Sequence, residues 1–137
     1  MKKLRIGIIG CGRIANGAHL PALSKLDNVR IKYACDLLIH KAEAAKEKFP
    51  KIENITADYK EVLADPEVEA VWVLTPNYAH YTVTMDALRA GKHVFCEKPI
   101  TVNYELSCEM AAAAEKQGKM GVLISVEGAE KLGCSIE

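Results

Sequence analysis

Gly10, Gly12 and Ala15 stand at G-x-G-x-x-A spacing, directly after the apolar run Leu4 to Gly10. Glycines at these separations also arise by chance, so the weight lies in their setting. A strand buried on both faces precedes them, a helix opens after them, and together they start the chain's first strand–helix–strand unit. Each position has its own physical demand. Gly10 permits a tight turn, Gly12 lets a pyrophosphate approach the backbone with no side chain in the way, and the small Ala15 lets the helix pack closely on the strand. The N–H groups around Arg13 and Ile14 then face an anion at a helix N-terminus. Gly10, Gly12, Arg13 and Ile14 are therefore the expected pyrophosphate contacts. The plainer alternative is a glycine turn that holds no ligand.

Asp36 closes the next apolar run, Val29 to Asp36, 24 residues after Gly12. An acid at that place accepts hydrogen bonds from the adenosine ribose hydroxyls and repels a 2′-phosphate, which favours NAD over NADP. Leu37 and Leu38 bring no arginine to hold such a phosphate, while Lys41 keeps NADP open. The alternative is an acid that only caps the helix after it. Two further segments, Thr75-Pro76-Asn77 and Glu97-Lys98-Pro99, follow two more strand-like runs. They fall at C-terminal strand ends, where open α/β sheets bind their ligands. Each proline fixes its own φ and pushes the residue before it toward extended backbone. In an extended segment Glu97 and Lys98 point to opposite sides, so one can face a cofactor and the other a second ligand. A lysine ammonium there can hold a substrate oxygen and stabilise developing negative charge, which makes Lys98 the candidate catalytic residue. As an isolated tripeptide, Glu-Lys-Pro would read as exposed loop charge instead.

The elements that must position these residues are legible in the hydrophobic pattern. Strands are expected at Leu4 to Gly10, Val29 to Asp36, Asn54 to Thr56, Ala70 to Thr75, His93 to Cys96 and Gly121 to Val126. Helical spacing recurs at Ile39, Ala42, Ala45 and Phe49, from Ala79 to Ala90, and from Asn103 to Gln117, where Leu106, Met110, Ala113 and Ala114 share one face. Asp58 and Glu61 read as a capping box opening a short helix that Asp65-Pro66 stops. Gly91 and Gly118 stand where helix C-caps belong. Pro21 is expected to end or kink the first helix early, with His19 beside it a structural or cleft-edge residue rather than a catalytic one. Repeated strand–helix–strand order predicts an α/β fold: a doubly wound parallel sheet of about six strands in the order 3-2-1-4-5-6, with right-handed crossovers.

These motifs together resemble one group of proteins. G-x-G-x-x-A, the strand-ending Asp36, Thr75-Pro76-Asn77 with His80, and Ala90-Gly91-Lys92-His93-Val94 leading into Glu97-Lys98-Pro99 are similar to the glucose–fructose oxidoreductase/inositol dehydrogenase family, Gfo/Idh/MocA. The likeness covers residues 3 to 126, and its second half is the more specific. It implies a nicotinamide-dinucleotide domain in which Gly10, Gly12 and Ile14 line the pyrophosphate and Asp36 binds the adenosine ribose. Thr75, Pro76, Asn77 and His80 would border the cofactor's middle, Glu97 would contact the nicotinamide-side ribose, and Lys98 would sit beside nicotinamide and substrate. Members mostly oxidise or reduce a hydroxyl–carbonyl pair on sugars, inositols or related cyclic substrates. The family pattern also includes a second α/β domain carrying substrate contacts and an Asp and His for proton transfer. Here residues 1–126 read as the dinucleotide domain and residues 127–137 as a short polar tail. The expectation is a cofactor domain that turns over nothing alone, with a sugar-like substrate engaged only if a second domain is supplied. A non-catalytic dinucleotide-sensing or partner-binding module is the alternative.

Bulk composition narrows the remaining classes. The chain has 137 residues, half of them hydrophobic, which suits one domain with a real core. Lys+Arg and Asp+Glu are equal at 18 each, so no global field attracts nucleic acid or an anionic membrane. No apolar run approaches the roughly 20 residues that cross a bilayer, and the start lacks a signal-peptide pattern. The five scattered cysteines read as free thiols of a cytoplasmic protein. His93 and Cys96 diverge across a strand and no cluster supplies three or four ligands, so no metal is expected. Cys96, Trp72 and Tyr33 read as packed strand residues. Apolar surface left by the missing domain should favour self-association, as in a homodimer.

Overall fold

Residues 3–76, 79–96, 112–113, 115 and 122–123 are described by the computed structural model. Asn77, Glu97, Lys98, Gly118, the tail 127–137 and most of the helix expected at 103–117 lie outside them. Ala112, Ala113 and Glu115 are helical, as that expectation requires.

The β-branched runs form the strands β1 (Leu4–Ile9), β2 (Val29–Cys35), β3 (Asn54–Thr56), β4 (Ala70–Val73), β5 (His93–Cys96) and β6 (Val122–Leu123). All five pairings are parallel, and the order is β3-β2-β1-β4-β5-β6, as the strand–helix alternation predicts. The chain leaves β1 toward β2 on one side, whereas β4 lies on the other. The crevice for a ligand therefore opens at the C-terminal ends of β1 and β4.

Apolar strands are needed because both faces of this sheet are covered. Ile6, Ile8, Ile31 and Ala34 pack on one side with Ala15, Leu20, Ala42 and Ala45. Ile9, Val71, Val73, Val94 and Cys96 pack on the other with Val62, Val83 and Leu88. Each such Val, Leu or Ile contributes roughly 1.5–3 kcal/mol by leaving water. Cys96 is fully buried in its strand. Trp72 is only half-buried and stacks on Phe95 at 5.5 Å, with the His19 ring edge-on to Phe95 at 5.3 Å. Tyr33 donates its phenol to Asp65 at 3.0 Å.

The helices are α1 (Leu20–Ser24), α2 (Ile39–Lys48), α3 (Tyr59–Ala64) and α4 (His80–Arg89). Of the two outcomes expected at Pro21, an ended or a kinked helix, the first does not occur: the helix runs on to Ser24 after a π-helical turn at Ala15–His19. There the Leu20 N–H donates to Ala15, five residues back. This wider turn relieves the clash of a proline ring with the carbonyl four residues before it. Asp58 caps α3 by accepting from Lys60 N–H at 2.9 Å, but Glu61 does not complete a box. Its carboxylate accepts from the Thr56 hydroxyl at 2.7 Å, and that hydroxyl oxygen in turn accepts from Asp58 N–H at 3.1 Å. Gly91 follows α4 with φ +80°, as its expected C-cap role requires. In α2, Ala42 and Ala45 are buried, while Ile39 is exposed at the first turn. Among the described residues no helix is long and apolar enough to cross a membrane.

The loop entering β4 is tied to the sheet by charge. Lys32 reaches Asp65 at 2.7 Å and Glu67 at 2.5 Å, and Lys92 donates to the carbonyls of Asp65 and Val68, each at 2.8 Å. The Lys32 hydrogen bond, aided by Glu67 N–H and the Tyr33 phenol, lowers Asp65 from 3.8 to about 2. A carboxyl held below its unfolded value adds stability above about pH 4 and loses it as pH falls toward 2. Urea midpoints measured from pH 6 to 2 should fall less steeply in Asp65→Asn than in the parent chain over that window. Parallel acid limbs would refute the assignment.

Candidate functional site

The glycine turn is fixed from three sides. Gly10 has φ +105°, and its N–H donates to the Cys35 carbonyl at 2.7 Å. A Cβ there would lie 2.6 Å from the carbonyl carbon and oxygen of Leu74, so only glycine lets β1 turn this close to the end of β4. Cys11 N–H donates to Asp36 Oδ2 at 2.9 Å, and Leu38 N–H donates to Asp36 Oδ1 at the same distance. Asn16 Nδ2 donates to the carbonyls of Cys11, at 3.0 Å, and Gly12, at 2.8 Å. Burial, with Asp36 beside it, pushes the Cys11 thiol up to about 12. The neighbouring Cys35 rises equally, mainly from burial. Both thiols stay protonated and act as packing atoms. All three described cysteines, Cys11, Cys35 and Cys96, are buried, and none of the three is in a disulfide.

Between the ends of β1, β2 and β4 lies a cleft of about 590 Å³, within the range of small-molecule sites. Gly10, Gly12, Arg13, Ile14, Asp36, Thr75 and Pro76 all line it, so residues from three separate segments meet as expected. Lys41 lines it too, beside Leu37 and Leu38, which are 83% and 51% exposed. His80 is placed differently. It is buried, and Nε2 lies 2.8 Å from the Thr75 carbonyl. A carbonyl only accepts, so Nε2 carries the proton and anchors the start of α4 beneath Thr75. Its role at the cleft is thus indirect. Asn77, Glu97 and Lys98 lie outside the described residues.

Tyr59, Ala57, Thr82 and Val83 also line the cleft, and no motif points to them. The Tyr59 phenol donates to Asp86, and burial together with that carboxylate pushes it up to about 12. It is a locked donor on the wall. Ala57 alone had a readable signal, since it directly follows a strand end.

The cleft can be tested against a dinucleotide on its own atoms. Gly12 has nothing within 4 Å of where a Cβ would stand, which leaves open space over the turn. The Thr75 hydroxyl is buried without a hydrogen-bond partner, a state that costs free energy unless a ligand completes it. The turn, the orphaned hydroxyl and the carboxylate at the end of β2 suit a pyrophosphate, its flanking groups and a ribose diol in that order. The residues fit the group.

The sequence pattern of the oxidoreductase family with an NAD-binding Rossmann fold, GFO_IDH_MocA, matches residues 4–125. The chain belongs to this family. It is 34% identical over 116 residues to the inositol 2-dehydrogenase/D-chiro-inositol 3-dehydrogenase of Lactiplantibacillus plantarum, covering 84% of this chain and 33% of that protein. It is 36% identical over 123 residues to the scyllo-inositol 2-dehydrogenase (NADP(+)) of Bacillus subtilis, covering 90% and 32%. Among solved structures, it superposes with TM-score 0.80 on a 3-ketoreductase from Actinomadura kijaniata in complex with NADP and TDP-benzene, at 31% identity over 86% of this chain and 36% of that one. An NAD-binding protein from Listeria innocua gives TM-score 0.80 at 36% identity, covering 90% and 35%. The chain thus spans about a third of the length of these relatives, and the matched third is the Gfo/Idh/MocA Rossmann domain.

Proposed function

We propose that the chain binds NAD along this cleft, with the adenosine ribose on Asp36, and serves hydride transfer at a hydroxyl–carbonyl pair of a sugar- or inositol-like substrate. One observation carries the reading. Both Asp36 oxygens are held by backbone N–H groups, which aims the carboxylate at the cleft and leaves it lone pairs for two ribose hydroxyls. When bound, nicotinamide supplies the hydride chemistry, and the protein supplies orientation. In this reading residues 1–126 are the dinucleotide unit. Asn77 borders the cofactor, Glu97 holds the second ribose, and Lys98 stands beside the substrate to steady charge developing on oxygen. The inositol dehydrogenase relatives support the substrate class. Because those relatives are about three times longer, the 137 residues by themselves are expected to bind without turning over. Described cysteines outside any disulfide support a cytoplasmic setting, and self-association as a homodimer completes the proposal.

Titration calorimetry with NAD and NADP tests it. NAD should bind more tightly than NADP, and no heat from either at millimolar concentration would remove the proposal. Lys41 is the cation nearest in sequence to Asp36 on the cleft wall. Lys41→Ala should therefore weaken NADP by about threefold to tenfold and leave NAD unchanged, as loss of one partly screened phosphate contact implies.

A further inference from the structure

We propose that Asn16 is the positioning residue of the glycine turn: by holding the carbonyls of Cys11 and Gly12 on its own side, it sets how tightly the turn takes a pyrophosphate. The inference rests on the dinucleotide reading above.

The side-chain amide of Asn16 meets both carbonyls, at 3.0 and 2.8 Å, and its backbone N–H also donates to the Gly12 carbonyl at 3.1 Å. In a trans peptide the C=O of one residue and the N–H of the next point in opposite directions. Fixing the Cys11 carbonyl therefore aims the Gly12 N–H the other way, and fixing the Gly12 carbonyl does the same for Arg13 N–H. Gly12 and Arg13 both line the cleft, and Asn16 is not among its lining residues. Without the side-chain amide the Cys11 carbonyl is released and the Gly12 carbonyl keeps only the backbone N–H of residue 16, so the turn can more readily swing a carbonyl lone pair toward an anion. Glycine at position 12 makes such a swing easy, because it has no Cβ to restrict φ.

Residue type matters at this place. Asparagine carries two amide hydrogens, one for each carbonyl, whereas an aspartate could only accept. A serine hydroxyl reaches the carbonyl four residues back, here Gly12, and no further. The side chains thus grade as two bonds, one bond and none in asparagine, serine and alanine.

The experiment compares the 137-residue chain with Asn16→Ser and Asn16→Ala. NAD binding is followed by calorimetry, and binding of adenosine, which lacks phosphate, by NMR titration. NAD should weaken about threefold in the serine variant and about tenfold in the alanine variant, in line with one and two modest hydrogen bonds withdrawn from the competent conformer. Adenosine should bind all three alike, within about twofold on the same reasoning. Equal NAD affinity in parent and Asn16→Ala overturns the inference. So does a matching loss for adenosine, which would make Asn16 a general support of the fold. If Asn16→Ala fails to fold, the serine variant decides by the same two ligands. A parent chain that binds no NAD at millimolar concentration overturns the dinucleotide reading and this inference with it, a result seen before any variant is made.

Discussion

Gly10→Ala should abolish dinucleotide binding and destabilise the chain by about 3–5 kcal/mol, the sum of an overpacked contact and a backbone forced to positive φ. The added Cβ would stand 2.6 Å from backbone atoms of Leu74 and 2.8 Å from Thr75 nitrogen, closer than real contacts allow. Nothing flexible lies in its way that could move aside. Relief requires β1 to draw back from β4, which breaks the Leu74 N–H bond to the Ile9 carbonyl. Urea unfolding gives the stability loss, and calorimetry gives the loss of NAD. A folded Gly10→Ala chain with parental NAD affinity would show that the turn is not the cradle. Gly12→Ala makes an informative contrast. No atom lies within 4 Å of its Cβ, so the fold should tolerate it while binding suffers, since the methyl stands where a pyrophosphate must approach.

Asp36→Ala should weaken NAD by about a hundredfold, as two hydrogen bonds to a charged acceptor are lost. It should also lower stability by about 2 kcal/mol, because the N–H groups of Cys11 and Leu38 lose their common acceptor and only part of that loss is made good by water. The decisive readout is the cofactor ratio. Removing the carboxylate removes the repulsion of a 2′-phosphate, so NADP should lose much less than NAD and the preference should narrow or reverse. Equal losses for both cofactors would mean that Asp36 is only a clamp between the glycine turn and the loop after β2. The Bacillus subtilis relative that carries NADP(+) in its name shows that cofactor choice varies within the family, so the ratio must be measured on this chain.

Much of this site is readable without coordinates. Leu4 to Ile9 and Ala70 to Val73 are strands because short, mostly apolar runs with β-branched content hide both faces best inside a parallel sheet. The turn at Gly10, the acid after β2 and the Thr75-Pro76 corner follow from where those runs stop. The interior of the site is less readable. Tyr59 reaches the wall because α3 starts immediately beyond β3, and its phenol is fixed by Asp86, 27 residues away on α4. No spacing rule links those two. His80 carries a motif but acts from beneath, on the Thr75 carbonyl.

Hydrophobic period, glycine placement and strand-ending polar residues are local quantities. They therefore determined the parallel sheet, its order and most of the residues that meet at the cleft from the sequence by itself. Tertiary structure alone decided which groups hold those residues in place. It set the Asn16 amide on two turn carbonyls, widened the helix before Pro21, and turned Glu61 toward Thr56 instead of its cap. It also reserved Gly7 for close packing, since a Cβ there would run into the Val62 side chain. The physical reason is common to all four. Hydrogen-bond geometry and van der Waals contact depend on distances of tenths of an ångström between groups that the sequence orders but does not place.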